Sequence, residues 1–283
     1  MIRQITIIGT GLIGGSLALG LRERGFAGRI VGCDSAPVLQ RARKMVAVDA
    51  GAVNPAEAVR GSDVVVLAAP VGAILELIRT IAPGLGASCL VTDVGSTKVA
   101  VVKAATAAFG KDAGKRFLAG HPMAGKETSG LEGADARLFA GATWFLTPLP
   151  KQNILAGRCG EWVRWIEKLG ARVTAMDAQD HDRLCAWISH LPQMVSTALA
   201  AALVEEFGDE LPLLDAGGRA LREMTRISGS PYSMWRDIAI TNKKNLGRAL
   251  LQLEQRLAHI RENLESRELA VEFETAHRLK GKG

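Results

Sequence analysis

A chain of 283 residues, 48% of them apolar, is long enough for one large domain or two ordinary ones around a sizeable core. Its net charge of +6 is scattered, not laid in a stripe with interleaved aromatics, which argues against nucleic acid and suits a small anionic molecule. The four cysteines, Cys33, Cys89, Cys159 and Cys185, form no CxxC pair and no metal-ligand spacing, so they read as reduced thiols in a cytoplasmic protein with no metal centre.

Residues 5–8, Ile-Thr-Ile-Ile, are a short apolar run that suits a buried parallel strand. The run leads into Gly9-Thr10-Gly11-Leu12-Ile13-Gly14 and then a helix expected over 16–24. A GxGxxG alone is a weak signal; a strand before it and a helix after it make a dinucleotide-binding turn. Gly9, Gly11 and Gly14 permit a tight turn and let a pyrophosphate approach the helix N-terminus, where the N–H groups around Leu12 and Ile13 are unpaired. The apolar stretch 5–21 has no basic lead-in, so no signal peptide is expected, and no membrane span is foreseen elsewhere. A second strand, 29–33, ends at Asp34. This lies about twenty residues past the glycines, where a carboxylate accepts both ribose hydroxyls of NAD and repels the 2′-phosphate of NADP. Capping of the next helix is the competing role for Asp34, and Arg41 and Arg43 are nearby bases that could admit NADP.

Further strands are expected at 63–69, stopped by Pro70, and at 89–93, leading into Val94-Gly95-Ser96-Thr97-Lys98 and a helix over 99–109. Alternating strands and helices of this length predict an α/β, doubly wound, mainly parallel sheet, with ligands beyond the carboxyl ends of its strands. Asp34, Pro70, Ser96 and His121 all fall at such ends. His121 follows a short strand at 117–119 and stands among Gly120, Pro122, Gly125 and Gly130, which predict a shaped loop. As an isolated feature it would be an exposed turn histidine, and Ser96 alone would be a helix cap; their convergence makes His121 the candidate for the chemistry. Strands at 142–146 and 172–174 flank a helix at 160–169, and the first domain is expected to span 1–177.

Residues 178–283 read as helical throughout. Asp180-His181-Asp182 is expected to cap a helix carrying Trp187 and His190, with His181 and His190 too far apart in sequence to be close neighbours on one face. A second helix is expected over 194–206 and a break at 215–218. The segment 219–235 brings Arg219, Arg222 and Arg226 together as a solvated face or a clamp for a substrate carboxylate. Leu246, Leu250, Leu253, Leu257, Ile260 and Leu264 recur at 4-3-4-3-4 spacing, a seam for another helix, and a homodimer is the default expectation. A bend is expected near Ser266 and fraying at the tail.

Taken together, GTGLIGGS at 9–16, DVGSTK at 93–98, GHPMAGKETSG at 120–130, SHLPQ at 189–193 and TRISGSPYSMWRDI at 225–238 resemble the prephenate/arogenate dehydrogenase family of tyrosine biosynthesis, in order and over almost the whole chain. The resemblance implies a Rossmann-type domain followed by an all-α dimerisation domain, with no appended mutase or regulatory domain. It also implies NAD-dependent oxidative decarboxylation of prephenate to 4-hydroxyphenylpyruvate. Carried over by motif, His121 is the catalytic base and Ser96 orients it and touches the nicotinamide. Glu127 is an acid at the mouth of the site, His190 lines the pocket, Arg226 binds a substrate carboxylate and Trp235 packs nearby. Gln193 stands where many prephenate-using members have a second histidine, which leaves prephenate and arogenate both open. Competing readings are a hydroxyacid or imino-acid dehydrogenase relying on Lys243 or Lys244, and a non-catalytic dinucleotide sensor.

Overall fold

A computed structural model of the chain describes residues 1–126, 130–208 and 216–280. Strand and helix alternate through the first part: β1 (Gln4–Ile8), α1 (Leu12–Glu23), β2 (Arg29–Cys33), α2 (Ala36–Lys44), β3 (Ala50–Ala52), α3 (Pro55–Ala58), β4 (Val64–Leu67), α4 (Val71–Ile81), β5 (Leu90–Asp93), α5 (Val99–Phe109), α6 (Ala113–Arg116), β6 (Phe117–Pro122), β7 (Thr143–Thr147), α7 (Gly157–Lys168) and β8 (Arg172–Ala175). Among the described residues the strands form one sheet in the order β3-β2-β1-β4-β5-β6-β7-β8. β1 to β6 are parallel; β7 runs antiparallel to β6, and β8 parallel to β7.

The strands are apolar on both sides because both sides are covered. Ile5, Ile7, Val64 and Val66 enter one layer, with Leu17 and Leu21 of α1 and Trp162 and Ile166 of α7. Ile8, Val65, Leu67 and Val91 enter the other, with Ile74 and Ile78 of α4 and Val101 and Phe109 of α5. The fold class is the expected one, a Rossmann-type sheet followed by helices. Three local expectations change. α1 starts at Leu12, so Gly14 and Gly15 lie inside the helix, where a Cβ would come within 1.9 Å of the Gly9 carbonyl and 2.5 Å of Leu131. β3 is Ala-Gly-Ala, whose small side chains carry no strand signal and are paired only because β2 lies beside them. His121 sits inside β6, opposite Phe145 of β7, and not in a loop; the glycine before it is a strand glycine with backbone crowded against it.

The described residues that follow are mainly helical: α8 (Ala178–Cys185), a π-helical turn (Ala186–His190), α9 (Leu191–Phe207), α10 (Gly218–Thr225), α11 (Tyr232–Thr241), α12 (Lys243–Glu262) and α13 (Arg267–Lys280). The basic segment 219–235 is thus two helices, α10 and α11, separated by a turn that ends at Pro231, which stops one helix and starts the next. Asp177, not the Asp180–Asp182 group, caps α8, its side chain accepting from Gln179 N at 2.7 Å. The helical part docks through carboxylates that cap helices of the sheet domain. Asp182 Oδ1 and Oδ2 accept the N–H groups of Lys98 (2.6 Å) and Val99 (3.0 Å) at the start of α5. Asp237 Oδ2 accepts Gly72 N (2.9 Å) at the start of α4, where a Cβ on Gly72 would stand 2.7 Å from that oxygen. Each satisfies orphan N–H groups and meets the positive end of a helix.

The run Ala178–Phe207 is long and apolar enough to cross a membrane by length and composition, and most of its apolar stretch is not buried within the chain. Its polar residues His181, Asp182, His190 and Gln193 are buried, whereas Trp187, Ile188, Val204 and Phe207 are exposed. In the leucine seam only Leu246 is buried; Leu257 is 56% and Leu264 62% exposed.

Beneath the carboxyl end of β5, Lys98 and Asp93 are both completely buried and paired, Asp93 Oδ2 also accepting Gly95 N at 2.9 Å while Lys98 Nζ donates to Gly120 O at 2.7 Å. The pair therefore ties β5, the start of α5 and β6 together. Lys98→Met should leave a buried carboxylate without its counter-charge and cost about 3–5 kcal/mol, seen as a lower midpoint in chemical denaturation; an unchanged midpoint would show that the pair does not hold this end of the sheet.

Candidate functional site

The glycine turn sits where the strand order reverses, between β1 and β4, the crevice that open α/β sheets use for ligands. Gly9 has a φ of +91°, and a Cβ there would lie 2.2 Å from the Ala68 carbonyl at the end of β4. Gly11, the N-cap of α1, meets nothing within 4 Å of a notional Cβ, so space lies open in front of the helix N-terminus. Leu12 and Ile13 begin that helix, and no side chain caps it, so its first N–H groups and its dipole are left to an anion. Asp34 is fastened at the end of β2: Oδ2 accepts Thr10 N at 2.8 Å and Oδ1 accepts Ser35 N at 2.7 Å. The bases noted nearby point elsewhere, Arg41 to Glu132 at 2.9 Å and Arg43 toward the Gly51 carbonyl at 3.5 Å. Pro70 is the exposed N-cap residue of α4. A glycine cradle, an open helix N-terminus and a fixed acid fit a dinucleotide.

Beyond the carboxyl ends of β5 and β6 is a buried histidine cluster. Gly120 is required there, because a Cβ would stand 2.9 Å from both the Asp93 carbonyl and Trp144 Nε1. His121 Nδ1 lies 2.9 Å from His181 Nε2, and His181 Nδ1 lies 2.9 Å from Asp182 Oδ1. Burial, then His181, Lys98 and His190, hold His121 well below the usual imidazole range, so the ring is neutral near pH 7 and able to take a proton. His181 is also pushed down by burial, against the Asp182 hydrogen bond. Cys185 Sγ is 3.4 Å from His181 Nε2 and 3.9 Å from His121 Nδ1, its thiol pushed up to about 12 by burial and by Asp182. His121, His181 and Cys185 bring three possible ligand atoms within 4.8 Å of one another, a set sixty residues apart in sequence that spacing could not reveal. The 2.9 Å separation of the two nitrogens is that of a hydrogen bond.

Ser96 is half-buried just past β5, and its hydroxyl makes no hydrogen bond among the described residues. The Nδ1 side of the His121 ring is occupied by His181. The histidine pair was missed because Asp180-His181-Asp182 looks like a local cap; the useful signal is that an acid and a histidine one residue apart are both buried once Asp177 caps α8.

His190 is fully buried, its Nδ1 3.2 Å from Asn242 Nδ2, and Asn242 also donates to the Asp182 carbonyl at 2.7 Å. Nine residues of regular helix would turn His190 away from His181. The π-helical turn holds more residues per turn and delays that rotation, bringing both rings to the buried side. Burial pushes His190 down to about 4. Trp235 Nε1 is buried without a partner, and the rings of His190 and Trp235 meet edge to face at 6.1 Å. An unpaired buried donor here marks a place where a polar ligand would satisfy it. Gln193 Nε2 donates to the Ile227 carbonyl at 2.8 Å and to Thr197 Oγ1 at 3.2 Å, fastening the turn beside Arg226, which is exposed at the end of α10. Glu127 lies outside the described residues.

Two family models match, the prephenate dehydrogenase nucleotide-binding domain over residues 17–175 and the prephenate dehydrogenase dimerization domain over 177–275. A prephenate dehydrogenase of Lactococcus lactis is 34% identical over 85% of this chain, and the chain spans 65% of that relative's length. A cyclohexadienyl dehydrogenase of Zymomonas mobilis is 31% identical over 85% of this chain and 81% of its own. The structure of a prephenate dehydrogenase from A. aeolicus, solved with hydroxyphenyl propionate and NAD+, superposes with a TM-score of 0.88 at 32% identity, covering 100% of this chain and 98% of that one. With a nucleotide cradle at the β1/β4 crevice and a neutral buried histidine at the end of β6, the chain belongs to the prephenate dehydrogenase family.

Proposed function

We propose that this protein is an NAD-dependent dehydrogenase that oxidatively decarboxylates prephenate to 4-hydroxyphenylpyruvate. The observation that carries this reading is His121, a neutral buried ring at the carboxyl end of β6 whose Nδ1 is engaged by His181 while Nε2 has no partner among the described residues. NAD, held by Gly9, Gly11, Gly14, the N–H groups of Leu12 and Ile13, and Asp34, supplies the hydride acceptor. His121 takes the proton of the C4 hydroxyl as the C4 hydrogen departs with its electron pair. Loss of the C1 carboxylate as carbon dioxide then leaves the electrons of the broken C–C bond to complete the aromatic ring and to return charge to the C4 oxygen, which takes the proton back from His121 to give the phenol. Arg226 provides a guanidinium for a substrate carboxylate, with His190 and Trp235 lining the ring site and Ser96 beside the nicotinamide. The four free, buried cysteines suit a reducing cytoplasm.

A second reading, arogenate or dual cyclohexadienyl activity, rests on Gln193. Its amide nitrogen is committed to Ile227 and Thr197, leaving the carbonyl oxygen, an acceptor that suits an ammonium better than a keto group. Steady-state rates with prephenate and with arogenate, each with NAD and NADP, should show turnover of prephenate, some turnover of arogenate, and faster rates with NAD. Asp34→Ser should narrow the gap between cofactors by removing the charge that faces a 2′-phosphate. Exclusive use of arogenate, or a wild-type preference for NADP, would overturn the corresponding part.

The protein acts as a homodimer joined through its helical domain. Trp187, Ile188, Leu257 and Leu264 lie exposed on that domain, and a groove lined by Trp187, Leu253, Arg256 and His259 opens there; apolar surface of this extent suits a second copy. Sedimentation at micromolar concentration should give twice the chain mass, and a compact monomer would refute the dimer.

His121→Asn should lower kcat about 10²–10⁴-fold with little change in NAD binding. A base works only when unprotonated, so wild-type kcat/KM should fall on acidification. Because His121 is held well below 6.5, that acid limb should lie below pH 6.5 and be absent from the variant. A variant retaining rate and limb would assign the proton to another group.

A further inference from the structure

We infer that His181 is the positioning residue that selects the reactive tautomer of His121, acting as the middle member of an Asp182–His181–His121 relay. This rests on the reading of His121 as the base. Both oxygens of Asp182 already receive main-chain N–H groups, Lys98 N on Oδ1 and Val99 N on Oδ2. Asp182 therefore faces His181 as an acceptor, and His181 Nδ1, 2.9 Å from Oδ1, must be the donor. A neutral His181 with its proton on Nδ1 presents a lone pair at Nε2. His121 Nδ1, 2.9 Å from that lone pair, must in turn carry a proton. The opposite arrangement would set the lone pair of His181 Nδ1 against a carboxylate oxygen. A neutral His121 protonated on Nδ1 has its lone pair on Nε2, the nitrogen that no described residue occupies.

Both rings are kept neutral by burial, so each carries a single proton and the chain of donors admits one solution. The tautomer of an imidazole is set by the hydrogen bond its other nitrogen makes, and here that bond is made by a side chain of the helical domain. The same relay stabilises the product of the proton step: imidazolium at His121 keeps its Nδ1–H on His181, which stays fastened to the Asp182 carboxylate. His181 also stands edge-on to Phe145 at 5.4 Å and to His121 at 5.1 Å, so the ring cannot swing without repacking β7.

The test uses the full chain. In wild-type protein, nitrogen-15 NMR of labelled histidine should show His121 protonated at Nδ1 and bare at Nε2, and His181→Leu should release it to the other tautomer or to a mixture. His181→Leu should lower kcat at least about 10²-fold with the KM for prephenate and the dissociation constant for NAD within about 3-fold. His181→Gln, which can accept from His121 and donate to Asp182, should recover most of the rate. A wild-type His121 protonated at Nε2, or a His181→Leu enzyme with wild-type kcat, overturns the relay. Should the leucine variant fail to fold, the wild-type tautomer decides. Should the protein not turn over prephenate, the tautomer still reports on the relay independently of the reaction.

Discussion

The carboxylate of Asp182 is the contact on which the rest depends. It satisfies two N–H groups at the start of α5 and, through Oδ1, also anchors His181. Those N–H groups belong to Lys98 and Val99, so the helix that carries the buried Lys98 is also the helix that receives the second domain. Asp237 repeats the device on α4. The helical domain therefore does not rest on the sheet by apolar contact alone; it completes two helices that the sheet domain leaves open. Each cap is worth about 1 kcal/mol on the scale of ordinary helix caps, and their greater consequence is geometric, because they fix the distance between His181 and His121.

Charge is distributed around the site so that its histidines stay neutral. Lys98 lies buried under the Gly120 carbonyl and discourages a second positive charge at His121 and at His181. Its own charge is matched by Asp93, not by the cluster. A cationic His121 could not accept a proton, whereas a neutral one with an open nitrogen can. The unpartnered Nε1 of Trp235 costs stability in the free protein, and a bound polar ligand would recover it.

Legibility differed between the two halves. β1, the glycine turn and Asp34 were readable because each is announced by its own neighbours. The helical domain was readable as helices, including the break around 263–266 that separates α12 from α13. Other features were not. His121 looked like a loop residue because its strand partner, Phe145, lies far along the chain. That His181 meets the ring of His121 was not legible either, because proximity of strand ends does not decide which side chain from the helical domain reaches it. The division of the segment 219–235 into two helices follows from Pro231, which begins α11, and not from its charge pattern.

The sequence by itself determined that the chain holds a dinucleotide on a parallel sheet and carries a histidine at the end of one strand. That follows from strand, turn and helix being contiguous: conformational freedom at Gly9, burial of Ile5 and Ile7, and the position of Asp34 are local properties. Only the tertiary structure decided which nitrogen of His121 is free, what holds its ring, and that His181 and His190 share one buried site. Those depend on a hydrogen bond between residues sixty positions apart and on a π-helical turn that rotates one helix segment. Hydrogen bonds fail over a few tenths of an ångström, and distances on that scale are set by how whole elements dock, a quantity that no local pattern of residues contains.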